Sequence, residues 1–374
     1  MAARLEFDTV FNWDGVGTSS GDYTDVTLES QSPAGTSFPL FNSSANYLYL
    51  GNATKFDMAI FDIDTVGSLG ALTWQYYNGS AWTTFVPASA RYETDVDDNE
   101  GGQFDFSVDG VEIFPQNILS DWATVAINSA TKYYVRVTAA SVTTSPTIKR
   151  IQMRPLASYC TTKDVYELLQ LKNVTSGTDF TSSTVPSLAT VEQAILNSQS
   201  YIDSYTRKSW RPNYVANEYH QFNINGIKLD SYYAYKVLSL KIWNGSSWDT
   251  KTQGRASDYF LVPDAGMIQF ARYFTLPAKF TTYNAPIWRW GGGEFSNAVK
   301  IRYLSGHDIT LDVREGNMVA DICTKLSAIE VVRTADFGGA VVSGLDRMGL
   351  AERVASWEQE TANNIDNLKA FEVF

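Results

Sequence analysis

The sequence is poor in the residues that most often carry metal and redox chemistry. Its 374 residues include two cysteines, Cys160 and Cys323, and two histidines, His220 and His307. Two cysteines so far apart form neither a disulfide framework nor a zinc site, and we expect a buried, reduced pair. Because neither histidine lies beside a nucleophile motif, we expect both to be structural.

Positive charge is also scarce. The chain has 29 Lys and Arg against 41 Asp and Glu, which gives a formal net charge of −12. A general nucleic-acid clamp is disfavoured, because neutralising phosphates needs an excess of Lys and Arg. Aromatic residues make up 14% of the chain, which excludes an acidic disordered protein and favours strands.

Long apolar runs are absent from the sequence. No segment approaches the roughly 18 residues of a membrane-spanning helix, and residues 1–15 lack the apolar core of a signal peptide. We therefore expect no membrane association and synthesis in a reducing cytoplasm. Gly291-Gly292-Gly293 lacks the lysine and the strand–helix context of a phosphate-binding loop, and the sequence predicts no cofactor.

The acidity is concentrated at one end of the chain. Residues 1–156 contain 8 Lys and Arg against 18 Asp and Glu, whereas residues 157–374 contain 21 against 23. The length allows two or three domains. We predict a multidomain α+β protein: an all-β sandwich over residues 1–156, then a helical domain with an inserted β-rich region over residues 157–374.

Short alternating runs bounded by turn residues predict that the sandwich is jelly-roll-like. The predicted strands are Tyr47–Leu50, Phe56–Ile63, Leu72–Tyr77, Phe104–Val108, Val111–Phe114, Thr131–Val137 and Thr147–Met153. Asn78-Gly79 predicts a hairpin with a type I′ turn, in which both central residues have positive φ. Asn244-Gly245, also followed by a nearby tryptophan, predicts a second Asn-Gly hairpin.

Apolar residues take up helical spacing after Pro155. The spacing predicts helices over about 161–172, 188–210, 315–334 and 346–371, with a β-rich region over 213–306. An apolar stripe on the last helix has two interpretations: it packs on its own domain, or it docks on a partner. The docking interpretation concerns Leu350, Val354, Trp357, Ile365, Leu368, Phe371 and Phe374.

One basic cluster lies at the C-terminal end of the second predicted helix and consists of Arg207, Lys208, Trp210 and Arg211. Cations at the C-terminal end of a helix stabilise it through its dipole, which is sufficient to explain the cluster. The alternative is an interface with an acidic partner or with DNA phosphates, because Trp and Arg are frequent interface anchors.

Two acidic motifs could carry chemistry. Residues 95–101 resemble a calcium loop, but Glu100 stands where an EF-hand needs glycine, so a solvated turn is the simpler interpretation and calcium binding stays open. Asp62 and Asp64 share one face of a predicted strand and could serve glycoside hydrolysis, although an outward polar face explains them more simply. We expect no metal site and no enzyme.

From about residue 158 onward, a series of segments follows a recognisable order: Tyr159–Val165, the helical segment Val191–Arg207, the strand at Glu218-Tyr219-His220, the runs Lys228–Leu240 and Asp258–Ile268, and Ile301–Gly306 before a last helix. In this order the chain resembles the head–tail connector, or adaptor, proteins of long-tailed bacterial or archaeal viruses. The resemblance covers over half of the chain and implies a structural protein of the virion neck.

Residues 1–156 resemble another module of tailed-virus structural proteins, a jelly-roll-like sandwich. The resemblance is carried by Leu72–Trp82, Phe104, Phe114-Pro115, Asp121-Trp122, Tyr133–Val137 and Pro146-Thr147-Ile148. Some of these modules resemble carbohydrate-binding domains. Outward decoration, contact with a neighbouring neck protein and glycan binding are therefore all open roles for this part of the chain.

The connector resemblance also implies partners. It implies a homo-oligomeric ring of twelve subunits beneath the portal, made in the host cytoplasm and placed at the head–tail junction of the virion. The C-terminal segment would dock on the portal, the β-rich region would meet the next neck or tail protein, and genomic DNA would pass through during ejection without specific binding. Near-neutral charge over residues 157–374 suits such a conduit, because DNA must slide.

Two other functions stay open. The first is a virion surface or baseplate protein whose sandwich binds host glycans through Trp74, Trp82 and Trp122, although we favour core or hairpin packing for these residues. The second, which we favour least, is a carbohydrate-active enzyme based on the pair Asp62 and Asp64 or on residues 95–100.

Overall fold

The chain is a mixed α+β protein with several antiparallel sheets, as the sequence predicts. The computed structural model describes residues 5–15, 17, 22–32, 34–88, 106, 109–169, 179–223, 226–244, 246–271, 297–307, 313–334 and 347–368, with backbone alone at 313 and 347–351. The acidic motif at 95–101, the Gly291-Gly292-Gly293 segment and most of the predicted strand Phe104–Val108 lie outside these residues.

The first part of the chain is built from short strands and one helix of five residues, α1 (Thr27–Gln31). The strands are β1 (Thr9–Trp13), β2 (Tyr23–Asp25), β3 (Phe38–Pro39), β4 (Tyr47–Asn52), β5 (Phe56–Thr65), β6 (Ser68–Leu69), β7 (Leu72–Tyr77), β8 (Trp82–Phe85), β9 (Gly110–Ile113), β10 (Thr124–Ile127), β11 (Ala130–Ala139), β12 (Val142–Thr144) and β13 (Thr147–Pro155).

Two antiparallel sheets enclose the first core. One has the order β2-β1-β4-β11-β7-β8, with β10 paired to β11, and the other has the order β3-β13-β5-β9. Along β7, Leu72, Trp74 and Tyr76 are buried while the alternate residues are partly exposed, as the period of a strand requires. The buried residues of β7 pack in one cluster with Phe61 and Ile151 of the second sheet.

Both predicted Asn-Gly hairpins are present, but the prediction of a type I′ turn is wrong. Tyr77 pairs with Trp82 across the first, so the connection has four residues rather than two. Gly79 has a φ of +93°, whereas Asn78 keeps a negative φ. The Asn78 side-chain oxygen instead accepts hydrogen bonds from the backbone N–H groups of Ser80 and Ala81, at 3.0 and 2.8 Å. Asn244 makes the same two bonds, both at 2.9 Å.

The second part of the chain contains a helical unit. Its helices are α2 (Thr162–Leu168), α3 (Leu188–Thr206), α4 (Val313–Thr334) and α5 (Arg347–Asp366). The α2 helix begins with a capping box, in which Thr161 and Asp164 each bond the backbone N–H of the other. Buried residues of all four helices form one hydrophobic cluster, so the helices share a core.

Helix α3 ends four residues before the predicted position 210. Arg207 takes a left-handed conformation, with φ of 54° and ψ of 25°, which terminates the helix. The Thr206 hydroxyl donates to the Ile202 carbonyl at 2.7 Å and so stays within the last turn. The chain then turns Trp210 into the helical core, where its side chain is 1% exposed.

A β-rich region lies between α3 and α4, as predicted. Its strands are β14 (Asn213–His220), β15 (Ile227–Lys228), β16 (Ala234–Trp243), β17 (Trp248–Thr250), β18 (Tyr259–Val262), β19 (Met267–Phe270) and β20 (Val299–Ser305). They form one sheet of order β14-β20-β16-β17 and another of order β15-β19-β18. Both sheets contribute to a separate hydrophobic cluster.

The two ends of this β-rich region lie next to each other where it joins the helical unit, at the base of the insertion. The His307 N–H donates to the Ser209 carbonyl at 2.7 Å. Gly306 has a φ of +119°, and a Cβ on it would lie 2.1 Å from the Arg211 carbonyl oxygen, so glycine is required for this close approach. The region therefore leaves the helical unit and returns to it at one place, as an insertion.

Both cysteines lie in the helical core, which confirms their predicted burial. Cys160 is 2% exposed and Cys323 is fully buried. Their sulfur atoms are 3.3 Å apart, and both are free thiols. Burial raises the pKa of the Cys323 thiol well above its ordinary value, and its hydrogen bond with Cys160 raises it further.

We predict that the thiol reagent DTNB modifies neither cysteine of the folded protein at the rate at which it modifies both in denaturant, because the reaction needs an exposed thiolate. The release of thionitrobenzoate before and after addition of guanidinium chloride measures this. A Cys160→Ser variant should release half as much chromophore once denatured. Rapid modification of the folded protein would contradict the packing of these residues.

Candidate functional site

The predicted basic cluster lies at the junction of α3 and the inserted region. The Trp210 indole N–H donates to Glu315 of α4 at 3.1 Å. The Arg211 guanidinium donates to one carboxylate oxygen of Asp203 through Nε and Nη2, both at 3.2 Å. The Tyr159 hydroxyl donates to the other oxygen of that carboxylate. This network joins the start of α2, the end of α3 and the start of α4.

The pKa shifts at this junction follow from burial and from the ion pair. Burial raises the pKa of the Asp203 carboxyl, and the Arg211 guanidinium reduces that rise. Burial acts to lower the pKa of Arg211, but Asp203 first, then Tyr159 and Asp57, raise it above its ordinary value. Burial also raises the pKa of Tyr159 well above its ordinary value, so its hydroxyl stays protonated and can donate.

The structure therefore divides the predicted basic surface. Trp210 is buried, which corrects its assignment to an exposed interface, and Arg211 is partly buried in its pair with Asp203. Arg207 is exposed and Lys208 is partly exposed, and the Lys208 ammonium lies 5.4 Å from the centre of the Tyr233 ring. An interface or DNA contact at Arg207 and Lys208 stays a prediction.

The linker between the sandwich and the helical unit is held by one buried side chain. Gln199 of α3 is fully buried, and its side-chain oxygen accepts from the N–H groups of Ser158 and Tyr159 at 2.5 and 2.9 Å. Its side-chain nitrogen donates to the Leu156 carbonyl at 3.0 Å. Three hydrogen bonds therefore fix the chain where it leaves the sandwich.

The carboxylates considered for catalysis take part in ion pairs. Asp62 lies 3.1 Å from Arg150 and also pairs with Lys236 of β16, which belongs to the inserted region. Asp64 lies 3.0 Å from Lys149. Asp62 thus joins the sandwich to the inserted region, a role that neutralises its charge and explains it without catalysis.

Apolar contacts accompany this ion pair. A small cluster between the sandwich and the inserted region contains Met58, Ile60, Val111 and Leu304. Arg154 crosses the same boundary: its guanidinium donates to Asp57 at 2.7 and 3.0 Å and to the Pro212 carbonyl at 3.0 Å. Sequence reasoning missed these residues, since no local pattern marks a contact between segments so far apart in the chain.

The apolar stripe of α5 packs on its own unit. Trp357 is 7% exposed, and Ile365 and Leu368 are each 2% exposed, all within the helical core. Val354 is partly buried against the same core. The packing interpretation therefore accounts for these four residues, and the docking assignment is corrected for them.

Portal docking stays a prediction for the rest of the predicted docking set. The side chain of Leu350 is outside the described residues, and so are Phe371 and Phe374.

His220 lies in β14 beside a buried glutamate. Its Nε2 lies 2.5 Å from Glu218, whose carboxylate also accepts from the Tyr303 hydroxyl at 2.5 Å and from the Asp230 N–H at 3.0 Å. Burial acts to raise the pKa of Glu218, but the hydrogen bonds from His220 and Tyr303 lower it below its ordinary value. This arrangement accounts for His220 as a structural residue.

In the described part of the chain, no group of three or more His, Cys, Asp or Glu side chains could hold a metal ion. Calcium binding by residues 95–101 stays a prediction, because that motif lies outside the described residues. None of the described helices combines the length and the apolar character needed to cross a membrane.

We predict that Arg211→Gln lowers the free energy of unfolding by about 1–3 kcal/mol, because it leaves the partly buried Asp203 carboxylate without its charged partner. Chemical denaturation followed by circular dichroism measures the loss. Lys163→Gln is the matched control, since Lys163 and Glu167 form an exposed pair 3.8 Å apart and such pairs contribute below about 1 kcal/mol. Equal losses in the two variants would contradict the role of the junction.

We predict that the ionised Glu218 carboxylate stabilises the folded protein at pH values above 4.5, the ordinary pKa of a glutamate. Because its folded-state pKa is depressed, this contribution is lost as the pH falls through the folded-state value. The stability advantage of the wild type over Glu218→Gln should therefore shrink between about pH 6 and about pH 3. Urea denaturation at both pH values measures it, and an advantage that is constant or grows on acidification would refute the assignment.

Comparisons with known proteins give a weak structural likeness. No family model matches the chain, and no curated protein matches it. A chain in a solved structure described as "Neck of empty GTA particle computed with C6 symmetry" is similar, with 15% sequence identity and a TM-score of 0.31. The likeness covers 56% of this chain and 90% of that chain. At that identity and TM-score it defines neither a family nor a function.

Proposed function

We propose that the protein is a ring-forming head–tail connector of a tailed virus, which joins the portal to the tail and forms part of the DNA conduit. The proposal includes a homo-oligomeric ring in the virion neck and no catalytic activity. It rests first on the order of segments from residue 158 onward, in which a capped short helix, a longer helix, a β-rich region and a further helix follow one another.

The closed insertion is the observation that carries this proposal. The hydrogen bond from His307 to Ser209 and the close approach of Gly306 bring both ends of the β-rich region to one point of the helical unit. The helices and the inserted sheets also have separate hydrophobic clusters. A subunit with two separately stabilised parts can bind one neighbour through its helices and another through its sheets.

Rigid attachment of these parts suits a protein that bears load between a head and a tail. The partly buried pair of Arg211 and Asp203 holds the base of the insertion. The pair of Lys236 and Asp62 and the bridge from Arg154 connect the insertion to the sandwich. Relative motion of the parts would break these charged contacts, and we therefore infer that the subunit acts as one body.

The distribution of charge supports a conduit. Residues 157–374 carry 21 Lys and Arg against 23 Asp and Glu, so this part has little net charge. A nearly neutral channel neutralises few phosphates and lets DNA slide through it. The acidic, jelly-roll-like sandwich would then lie outside the channel, where its negative charge favours solubility.

We predict that the full chain co-sediments with purified portal rings in a density gradient, and that deleting residues 369–374 lowers its affinity by at least about tenfold, as loss of an aromatic anchor does. The deletion begins after Leu368 and leaves the buried residues of α5 in place. The Lys163→Gln variant is the control and should bind as the wild type does.

Each result has a separate meaning. Failure of the full chain to bind portal rings contradicts the connector function. Binding that is unchanged by the deletion contradicts docking through the C-terminal segment, and leaves the portal contact to another part of the chain.

A further inference from the structure

The outer face of the larger sandwich sheet carries a continuous band of aromatic rings. Outward faces of antiparallel sheets are commonly polar, yet this one forms its own hydrophobic cluster, separate from the core between the sheets. The band consists of Phe11, Trp13, Tyr23, Tyr47, Tyr49, Tyr77, Trp82 and Tyr134. Neighbouring rings contact each other with centroids 5.4–6.3 Å apart.

Several of these rings are accessible as well as packed. Trp13, Tyr47 and Trp82 are partly exposed, whereas Tyr49 beneath them is 3% exposed. Trp13 and Trp82 stand on β1 and β8, which are separated by β4, β11 and β7. Through Tyr47 and the Arg136 guanidinium, the ring centres of Trp13 and Trp82 are no more than about 14 Å apart.

An arginine lies within the band. The Arg136 guanidinium is 4.1 Å from the centre of the Trp82 ring and 4.3 Å from that of Tyr47. Its Nε donates to the Gln75 side-chain oxygen at 2.8 Å, and its Nη1 donates to the Tyr49 hydroxyl at 3.1 Å. Two rings and two hydrogen bonds hold the guanidinium in one orientation.

The charge of Arg136 has no acidic counterpart in the described part of the chain. Both of its hydrogen-bond acceptors are neutral, and no ion pair of the described residues includes it. Residues 1–156 nevertheless contain 18 Asp and Glu, and the other described arginines of the sandwich, Arg150 and Arg154, each pair with an aspartate. A fixed, partly buried guanidinium is complementary to a carboxylate, which it can bind through two parallel hydrogen bonds.

We propose that this face, centred on Arg136, binds a carboxylated polysaccharide. The accessible faces of Trp82, Tyr47 and Trp13 would stack on the C–H faces of successive sugar rings, as aromatic side chains do with flat apolar surfaces. The guanidinium would bind the carboxylate of one sugar. Gln75 and neighbouring hydroxyl side chains would bind sugar hydroxyls.

The size of the band agrees with this ligand. A span of up to about 14 Å accommodates two or three sugar units of about 5 Å each, a repeat close to the strand spacing. An acidic peptide would satisfy the charge of Arg136 but would present fewer flat C–H faces to the rings. This inference is independent of the connector function, because it concerns the sandwich alone.

Isothermal titration calorimetry of the full chain with an oligogalacturonate tests the proposal. The matched probe is the same oligomer with its carboxylates methyl-esterified, which keeps the sugar rings and removes the charge. Polyglutamate is the third probe, with charge and no sugar. We expect binding of the oligogalacturonate, at least about tenfold weaker binding of the ester, and no measurable binding of polyglutamate.

Variants locate the site. Arg136→Gln should weaken oligogalacturonate binding at least about tenfold and remove the preference over the ester. Arg136→Lys should weaken it less, since it keeps the charge and loses the planar fork. Lys149→Gln is the matched control, because it removes a cation from the other sheet of the sandwich. Thermal unfolding of each variant shows that the fold is retained.

Three outcomes overturn the proposal. The first is an absence of oligogalacturonate binding to the wild type. The second is equal loss of affinity in Arg136→Gln and Lys149→Gln, which would indicate general charge attraction. The third is polyglutamate binding that Arg136→Gln abolishes, which would assign the face to an acidic protein segment instead.

Discussion

The partly buried ion pair between Asp203 and Arg211 is the interaction on which the arrangement of the chain depends. It connects the last turn of α3 to the short segment before the inserted strands, and Tyr159 adds the start of α2 to the same carboxylate. Because two partly desolvated charges compensate each other there, removing one leaves the other without its partner. Together with the hydrogen bond from His307 to Ser209 and the close approach of Gly306, the pair fixes where the inserted sheets leave the helical unit.

Regular periodicity made most elements of this fold predictable. The spacing of Val191, Ala194 and Ile195 marks a helix, and the alternation along β7 marks a strand with one buried face. Where local geometry had competing solutions, prediction failed. Asn78 accepts hydrogen bonds from the following turn instead of taking a positive φ, and α3 ends at Arg207 because Trp210 is drawn into the core.

Surfaces were harder to predict than elements. The stripe on α5 has the same spacing whether it packs on its own helices or on a partner, and the burial of Trp357 distinguishes the two. No sequence pattern marks the aromatic band, because β4 is buried on both faces and its residues therefore do not alternate between apolar and polar. Tyr49 and Arg136 become neighbours only through the pairing of β4 with β11.

The central claim is that the protein joins a head to a tail, with its sandwich attached at that junction. The most direct measurement is electron microscopy of assembled particles that carry a gold label at residue 1. The account predicts that the label lies at the neck, in a ring around the particle axis. A label at the tail tip or on the baseplate would contradict it.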